Sequence, residues 1–155
     1  MEAKFINPFL SSIVNVLSTM AQLQPKPGKP SLKTENLAPG VVTGVIAMDG
    51  KQVKGSLAIS FTAPAIFDIG KRMLREELTE VDDTVKDLTG ELTNMVLGGA
   101  KAIFTEEGYD FDLTLPEILT GENHLINHSV EGPKIVMPFT IESGEFYIEI
   151  CFEKH

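Results

Sequence analysis

One amphipathic segment, Asp87-Leu-Thr-Gly-Glu91-Leu-Thr-Asn94-Met-Val-Leu-Gly98-Gly-Ala-Lys101, governs the interpretation of this sequence. At about 100° per residue in a helix, the five numbered residues lie within roughly 40° of a common direction and form a polar stripe. The segment therefore predicts one long helix with a core face and a narrow polar face. The core face carries Val81, Val85, Leu88, Leu92, Met95, Val96 and Ile103.

The polar stripe has a chemistry that a merely solvated helix face does not require. The amide Asn94 follows the carboxylate Glu91 by one turn, and Gly98 removes all side-chain bulk beside them. A glycine inside a helix costs about 1 kcal/mol relative to alanine, so Gly98 and Gly99 indicate a packing or docking requirement. We interpret the stripe as a surface that another molecule approaches; an ordinary solvated face is the alternative.

The composition is that of an ordinary globular protein. The chain has 155 residues, of which 43% are hydrophobic and 23% charged, and this predicts a single domain over residues 1–155. The formal net charge of -9 argues against nucleic acid and anionic membrane as partners, because both require basic surface. No segment approaches the ~20 apolar residues of a membrane span, and no signal-peptide pattern occurs, so we expect a cytoplasmic protein.

The cysteine and histidine content gives no pattern for a disulfide or a metal. Cys151 is the one cysteine, so no internal disulfide can form. His124, His128 and His155 do not make a ligand set, because the turn-forming residues around the first two favour loop or strand over helix. We therefore expect that this chain binds no metal and no cofactor.

Local signals divide the rest of the chain into helices and hairpins. Asn7-Pro8 has the residues of a helix start, and Thr79-Glu80-Val81-Asp82 has the spacing of a capping box. Asp49-Gly50 between two apolar runs is a strong hairpin signal. Pro116 indicates either the end of the preceding strand or a strand at the edge of the sheet. The predicted elements are a helix over 7–24, an extended exposed connection over 25–31, a hairpin of strands 41–48 and 53–61, a short helix over 62–74, the long helix over 79–105, a strand over 111–115, an unassigned stretch over 117–132, and a hairpin of strands 134–141 and 145–152.

These elements predict an α+β protein with an antiparallel sheet of about six strands and two long helices. Each half runs helix and then hairpin, and matching Asn15 with Asn94 places Ser12 opposite Glu91. The pattern indicates pseudo-twofold helix-plus-hairpin halves, in which the first helix has the amide without the carboxylate. Chance similarity between two amphipathic helices is the alternative explanation.

The motif Asp87-x-x-x-Glu91-x-x-Asn94, followed by Pro116, resembles the signature of the CheC, CheX and FliY phosphatases of bacterial chemotaxis. The opening Phe5-Ile-Asn-Pro-Phe9 is also similar to CheX. Members of CheC type carry two E-x-x-N sites and members of CheX type carry one. Ser12 in place of a second glutamate therefore favours the CheX type.

The resemblance implies a phosphatase whose substrate is a phosphorylated response regulator of the CheY type. In such enzymes the asparagine, here Asn94, orients a water in line with the aspartyl phosphate, and the glutamate, here Glu91, pairs with a lysine of the regulator. The Mg²⁺ ion belongs to the regulator. We expect Asp87, Gly98 and Lys101 to contact the same partner. The alternative is a non-catalytic module of the same fold that binds a regulator or a flagellar component.

The C-terminal strand predicts a homodimer. Residues 146–152 are apolar on one face, and we expect them to form an open sheet edge guarded only by Glu145, Glu149 and Glu153. The resemblance adds that CheX-like proteins are dimers with a sheet continuous across the subunits. The predicted contact leaves the helix stripe exposed.

Overall fold

The computed structural model describes the backbone of residues 3–153 and the side chains of residues 5–153. This part of the chain forms three helices and one antiparallel sheet, which confirms the predicted α+β class. The helices are α1 (Ala3–Ala21), α2 (Ala63–Leu74) and α3 (Asp83–Glu106). The strands are β1 (Lys26–Pro27), β2 (Ser31–Lys33), β3 (Val42–Asp49), β4 (Lys54–Phe61), β5 (Asp112–Leu113), β6 (Glu117–Thr120), β7 (Lys134–Ile141) and β8 (Gly144–Phe152).

Two hairpins form the centre of the sheet. β3 pairs with β4 and β7 with β8, and the four strands lie in the order β7-β8-β4-β3. The short strands extend the two sides, because β1 and β2 pair with β7 while β5 and β6 pair with β3. α1 precedes the first hairpin and α3 the second, as the predicted helix-plus-hairpin halves require.

The hydrophobic core lies between the helices and one face of the sheet. Apolar side chains alternate along β4 and β8, so each strand presents one face to the helices. Phe9 of α1 and Phe104 of α3 meet edge-on in this layer, with ring centroids 5.6 Å apart. The buried core side chains of the two central strands are Leu57, Ile59, Phe61, Phe146, Ile148 and Ile150.

Connecting segments cover part of the second face of the sheet. Ala38 and Ile126 pack there against β4. Glu149 of β8, only 2% exposed, accepts a hydrogen bond from Lys33 at 2.6 Å and another from His128. Burial alone would raise the pKa of the Glu149 carboxyl, but these two hydrogen bonds outweigh burial and hold the pKa below its ordinary value.

β8 is an interior strand, so the open edge predicted for residues 146–152 is wrong. β4 pairs with one side of β8 and β7 with the other. Alternation of apolar residues reports which face of a strand is buried and says nothing about its lateral neighbours, which explains the error. Glu149 is a buried ion-pair residue and not an edge guard. The homodimer remains a prediction, now without support from this strand.

α1 begins at Ala3, earlier than the predicted start at Asn7, and Pro8 lies inside the helix. Phe5 accounts for the additional turn, because its ring contacts those of Tyr109 and Phe152 at centroid distances of 5.5 and 5.6 Å. Close to a helix N-terminus, proline removes at most one backbone hydrogen bond, so this packing is sufficient to keep the segment helical.

α3 begins later than predicted, because its N-cap is Asp82 and not Thr79. The Asp82 carboxylate accepts a hydrogen bond from the Val85 N–H at 3.1 Å.

Two further segments differ from the prediction. Part of the proline-rich connection forms β1, and the unassigned stretch after Pro116 contains β6. Both short strands gain their backbone hydrogen bonds from a longer neighbour, a stabilisation that local sequence does not reveal.

Candidate active site

The α3 helix is seated on β3 through a close contact of small residues. Thr89 and Thr93 are buried, and each hydroxyl donates to the carbonyl one turn earlier, at 2.8 and 2.7 Å. Opposite Thr93 the strand carries Gly44, where an added Cβ would lie 2.1 Å from Thr93 Oγ1. The contact fixes which face of α3 is turned to the sheet and therefore which face remains free.

α1 crosses α3 at a second close contact. The Ser12 hydroxyl, buried, donates to the Val96 carbonyl at 2.6 Å, and a Cβ on Gly99 would lie 2.3 Å from Ser12 Oγ. Ser12 therefore has a packing role where the matching position of α3 has Glu91. Asn15 of α1 is exposed.

The predicted polar stripe lies on the free face of α3. Asp87, Glu91, Asn94 and Gly98 are exposed, and Lys101 is half-buried. Within the described residues, the side chains of Asp87, Glu91 and Asn94 have neither a hydrogen bond nor an ion pair. Asp87 and Glu91 also place like charges one turn apart, which destabilises a helix by roughly 0.2–0.5 kcal/mol. The side chains of Asp87, Glu91 and Asn94 therefore make no visible contribution to the stability of the fold.

The two adjacent glycines of α3 serve different purposes. Gly99 is required by packing, as the Ser12 contact shows, whereas nothing lies within 4 Å of a Cβ placed on Gly98. Gly98 therefore exposes bare helix backbone next to Asn94 with no internal reason for doing so. An approaching molecule can come closer to the helix there than at any neighbouring position with a side chain.

Replacing these glycines by alanine should have opposite effects on stability. Gly98→Ala should raise the free energy of unfolding by up to about 1 kcal/mol through helix propensity. Gly99→Ala should lower it by about 1–3 kcal/mol, because the new methyl group displaces the Ser12 hydroxyl. Urea denaturation of the two variants measures both values. Equal effects at the two positions would contradict the packing described here.

The segment 111–118 borders the stripe along one side, which the sequence did not reveal. At one end, the Lys101 ammonium lies 5.9 Å from the centroid of the Phe111 ring. At the other end, Ile118 approaches within 3.5 Å of the position that a Cβ on Gly90 would take. Leu115 and Pro116 lie between these two contacts in the chain.

The histidines are engaged separately. His124 donates from Nδ1 to the Gly121 carbonyl at 2.7 Å, whereas His128 Nδ1 lies 2.8 Å from Ser56 Oγ. His155 lies outside the described residues. Among residues 5–153, no group of three or more His, Cys, Asp or Glu side chains is placed to hold a metal ion.

In the same part of the chain, no helix combines the length and apolar character of a membrane span.

Comparison with known proteins agrees with this architecture. The sequence profile described as chemotaxis phosphatase CheX matches residues 42–140. A CheC-like superfamily protein from a Shewanella species has a crystal structure with a TM-score of 0.92, is 52% identical, and is matched over 99% of this chain and 100% of its own. The CheY-P phosphatase CheX of Thermotoga maritima is 26% identical over 94% of this chain and 92% of its own length.

A third relative has been crystallised with a partner. The structure of a CheX-CheY-BeF3-Mg²⁺ complex from Borrelia burgdorferi contains a chain 25% identical to this one, with a TM-score of 0.79 and coverage of 97% of this chain and 98% of that one. The fold, three helices packed on an antiparallel sheet, is that of the CheC-like proteins. This chain belongs to the CheX family of chemotaxis phosphatases.

Proposed function

We propose that this chain hydrolyses the aspartyl phosphate of a CheY-type response regulator, with Asn94 orienting the attacking water and Glu91 anchoring the regulator. One observation carries the assignment of these residues: both side chains are exposed on the free face of α3, beside Gly98, without a partner in the described part of the chain. Membership of the CheX family supports the reaction class, and the complex of the Borrelia relative with CheY supports the partner class.

The chemistry requires little from this chain beyond position and charge. An acyl phosphate is already activated, so hydrolysis depends mainly on a correctly placed water. The carboxamide oxygen of Asn94 accepts a hydrogen bond from that water and does not titrate. The water oxygen attacks phosphorus in line with the bond to the aspartate oxygen; that bond breaks, and the regulator recovers its carboxylate as inorganic phosphate leaves. The Mg²⁺ ion is part of the substrate protein.

Glu91 supplies the anchor one turn from Asn94. Its carboxylate is free to form a charge-assisted hydrogen bond with a lysine beside the regulator's phosphate, which fixes the register of the two proteins. Asp87, Gly98 and Lys101 extend the contact along the same face of α3. Because CheY-type response regulators act in the cytoplasm, the proposal includes a cytoplasmic location for this activity.

The decay of regulator phosphate in the presence of sub-stoichiometric protein tests the proposed function. A phosphorylated CheY-type regulator from the same cell is mixed with about one-tenth its concentration of this protein, and loss of the acyl phosphate is followed over time. Many turnovers per molecule are expected. Acceleration only near equal concentrations would identify a non-catalytic binding module and would refute the enzyme.

Glu91→Ala should weaken regulator binding more than it slows the chemical step. A hydrogen bond to a charged group contributes about 1.5–3 kcal/mol, so KM should rise by about 10-fold or more while kcat changes less. Initial rates over a range of regulator concentrations separate the two constants. Glu80→Ala, at an exposed glutamate before α3, is the matched control and should leave KM unchanged. A fall in kcat alone would show that Glu91 is not an anchor.

A further inference from the structure

Leu115 has a large apolar side chain that the fold leaves exposed to solvent. It is 89% exposed, more than any other large apolar residue among the described side chains; Leu32, the next, is 72% exposed. Single exposed leucines are common on protein surfaces and mean little by themselves. The backbone around Leu115 and its position relative to α3 distinguish it.

The backbone is anchored to β3 on both sides of Leu115. On one side, the Thr114 N–H donates to the Ala47 carbonyl at 3.1 Å, and the Thr114 hydroxyl accepts from the Ala47 N–H at 2.9 Å. On the other side, Pro116 restricts Leu115 to extended backbone, and Glu117 begins β6, which pairs with β3. A backbone held in this way need not be ordered when a partner binds, which favours a role in recognition.

The segment that contains Leu115 runs beside the free face of α3. Its ends contact α3 at Gly90, through Ile118, and at Lys101, through Phe111. At about 100° per residue, Gly90 and Lys101 point within about 20° of each other, and Asn94 lies about 40° from Gly90. Leu115 is near the middle of the bordering segment, and Asn94 lies between Gly90 and Lys101 on α3, so interpolation between the two end contacts puts Leu115 beside the part of α3 that carries Asn94.

We propose that Leu115 is an apolar contact for the response regulator, adjoining the polar stripe and docking against an apolar side chain at the rim of the regulator's phosphorylated site. The inference rests on the proposed function, because it takes the free face of α3 as the docking surface. The stripe provides charge and a water-orienting amide but little apolar area. A leucine on an anchored backbone beside it supplies apolar area from which binding removes water, the usual source of affinity at the centre of an interface.

Titration with a CheY-type regulator loaded with Mg²⁺ and BeF3⁻ tests this proposal without requiring turnover. Leu115→Ala should raise Kd by about 10-fold, the loss expected when a leucine side chain that binding buries is truncated. Leu115→Met, which keeps the apolar surface, should restore Kd to within about threefold of wild type. Circular dichroism and thermal melting confirm that both variants fold.

Leu32→Ala is the matched control, because Leu32 is exposed on β2, across the sheet from β5 and β6. Its Kd should equal that of wild type. A Kd for Leu115→Ala within twofold of wild type would overturn the proposal, as would an equal loss in Leu32→Ala. A change of oligomeric mass in Leu115→Ala without a change in Kd would also overturn it, and would assign the side chain to contact with a second copy. If the proposed function is wrong, the wild-type protein will instead show no turnover of regulator phosphate.

Discussion

Asn94→Ala is expected to lower the rate of regulator dephosphorylation by about 100-fold or more, because a misplaced water at an in-line attack carries a penalty of this size. The loss should be in kcat at saturating regulator. The fold should be unaffected, since Asn94 is exposed and its truncation opens no cavity. Replacing asparagine by alanine inside a helix should even raise the free energy of unfolding by up to about 0.7 kcal/mol. Phosphate decay and urea denaturation measure the two effects.

Asn15→Ala is the control for this experiment. Asn15 is also an exposed helical asparagine, on α1, at the position that the internal repeat matches with Asn94. Its neighbour one turn earlier is the buried Ser12 and not a carboxylate. Activity should therefore be unchanged. Wild-type turnover by Asn94→Ala would refute the mechanism, and equal losses in both variants would indicate that both helices take part.

Glu149→Ala is expected to lower the free energy of unfolding by about 3 kcal/mol or more, because it leaves the Lys33 ammonium and the His128 ring N–H on the covered face of the sheet without their shared hydrogen-bond acceptor. The side chain of Lys33 is 8% exposed, so water replaces the lost carboxylate poorly. Urea denaturation at neutral pH gives the value. Glu142→Ala, at an exposed glutamate in the β7–β8 turn, should change stability by less than about 0.5 kcal/mol.

The same ion cluster predicts a dependence of stability on pH. Burial raises the pKa of the Glu149 carboxyl, but hydrogen bonds from His128 and Lys33 bring it below its ordinary value. A carboxyl with a lowered pKa in the folded state stabilises the protein fully above its unfolded pKa, and this stabilisation is lost as pH falls below about 4. The stability difference between wild type and Glu149→Ala should therefore shrink on acidification. A constant difference down to low pH would show that Glu149 acts by packing alone.

Local sequence patterns were sufficient for the elements whose signals are complete within a few residues. The β3–β4 hairpin follows from Asp49-Gly50 between two apolar runs, and α3 follows from its periodicity. The stripe of Asp87, Glu91, Asn94 and Gly98 was predictable for the same reason, because helical periodicity assigns each residue to a face before any tertiary contact is known. Resemblance to the CheC, CheX and FliY signature then gave the family and named the two candidate active-site residues.

Other features required the tertiary structure because they depend on distant neighbours. Adjacent glycines are equivalent in sequence, yet Gly99 meets Ser12 of another helix and Gly98 meets nothing. The alternation along β8 identified its buried face but not its position between β4 and β7. Glu149 has the pattern of a surface residue, and only Lys33 and His128, from remote segments, make it a buried ion-pair residue. Periodicity is a property of one segment, whereas packing and ion pairing are properties of two.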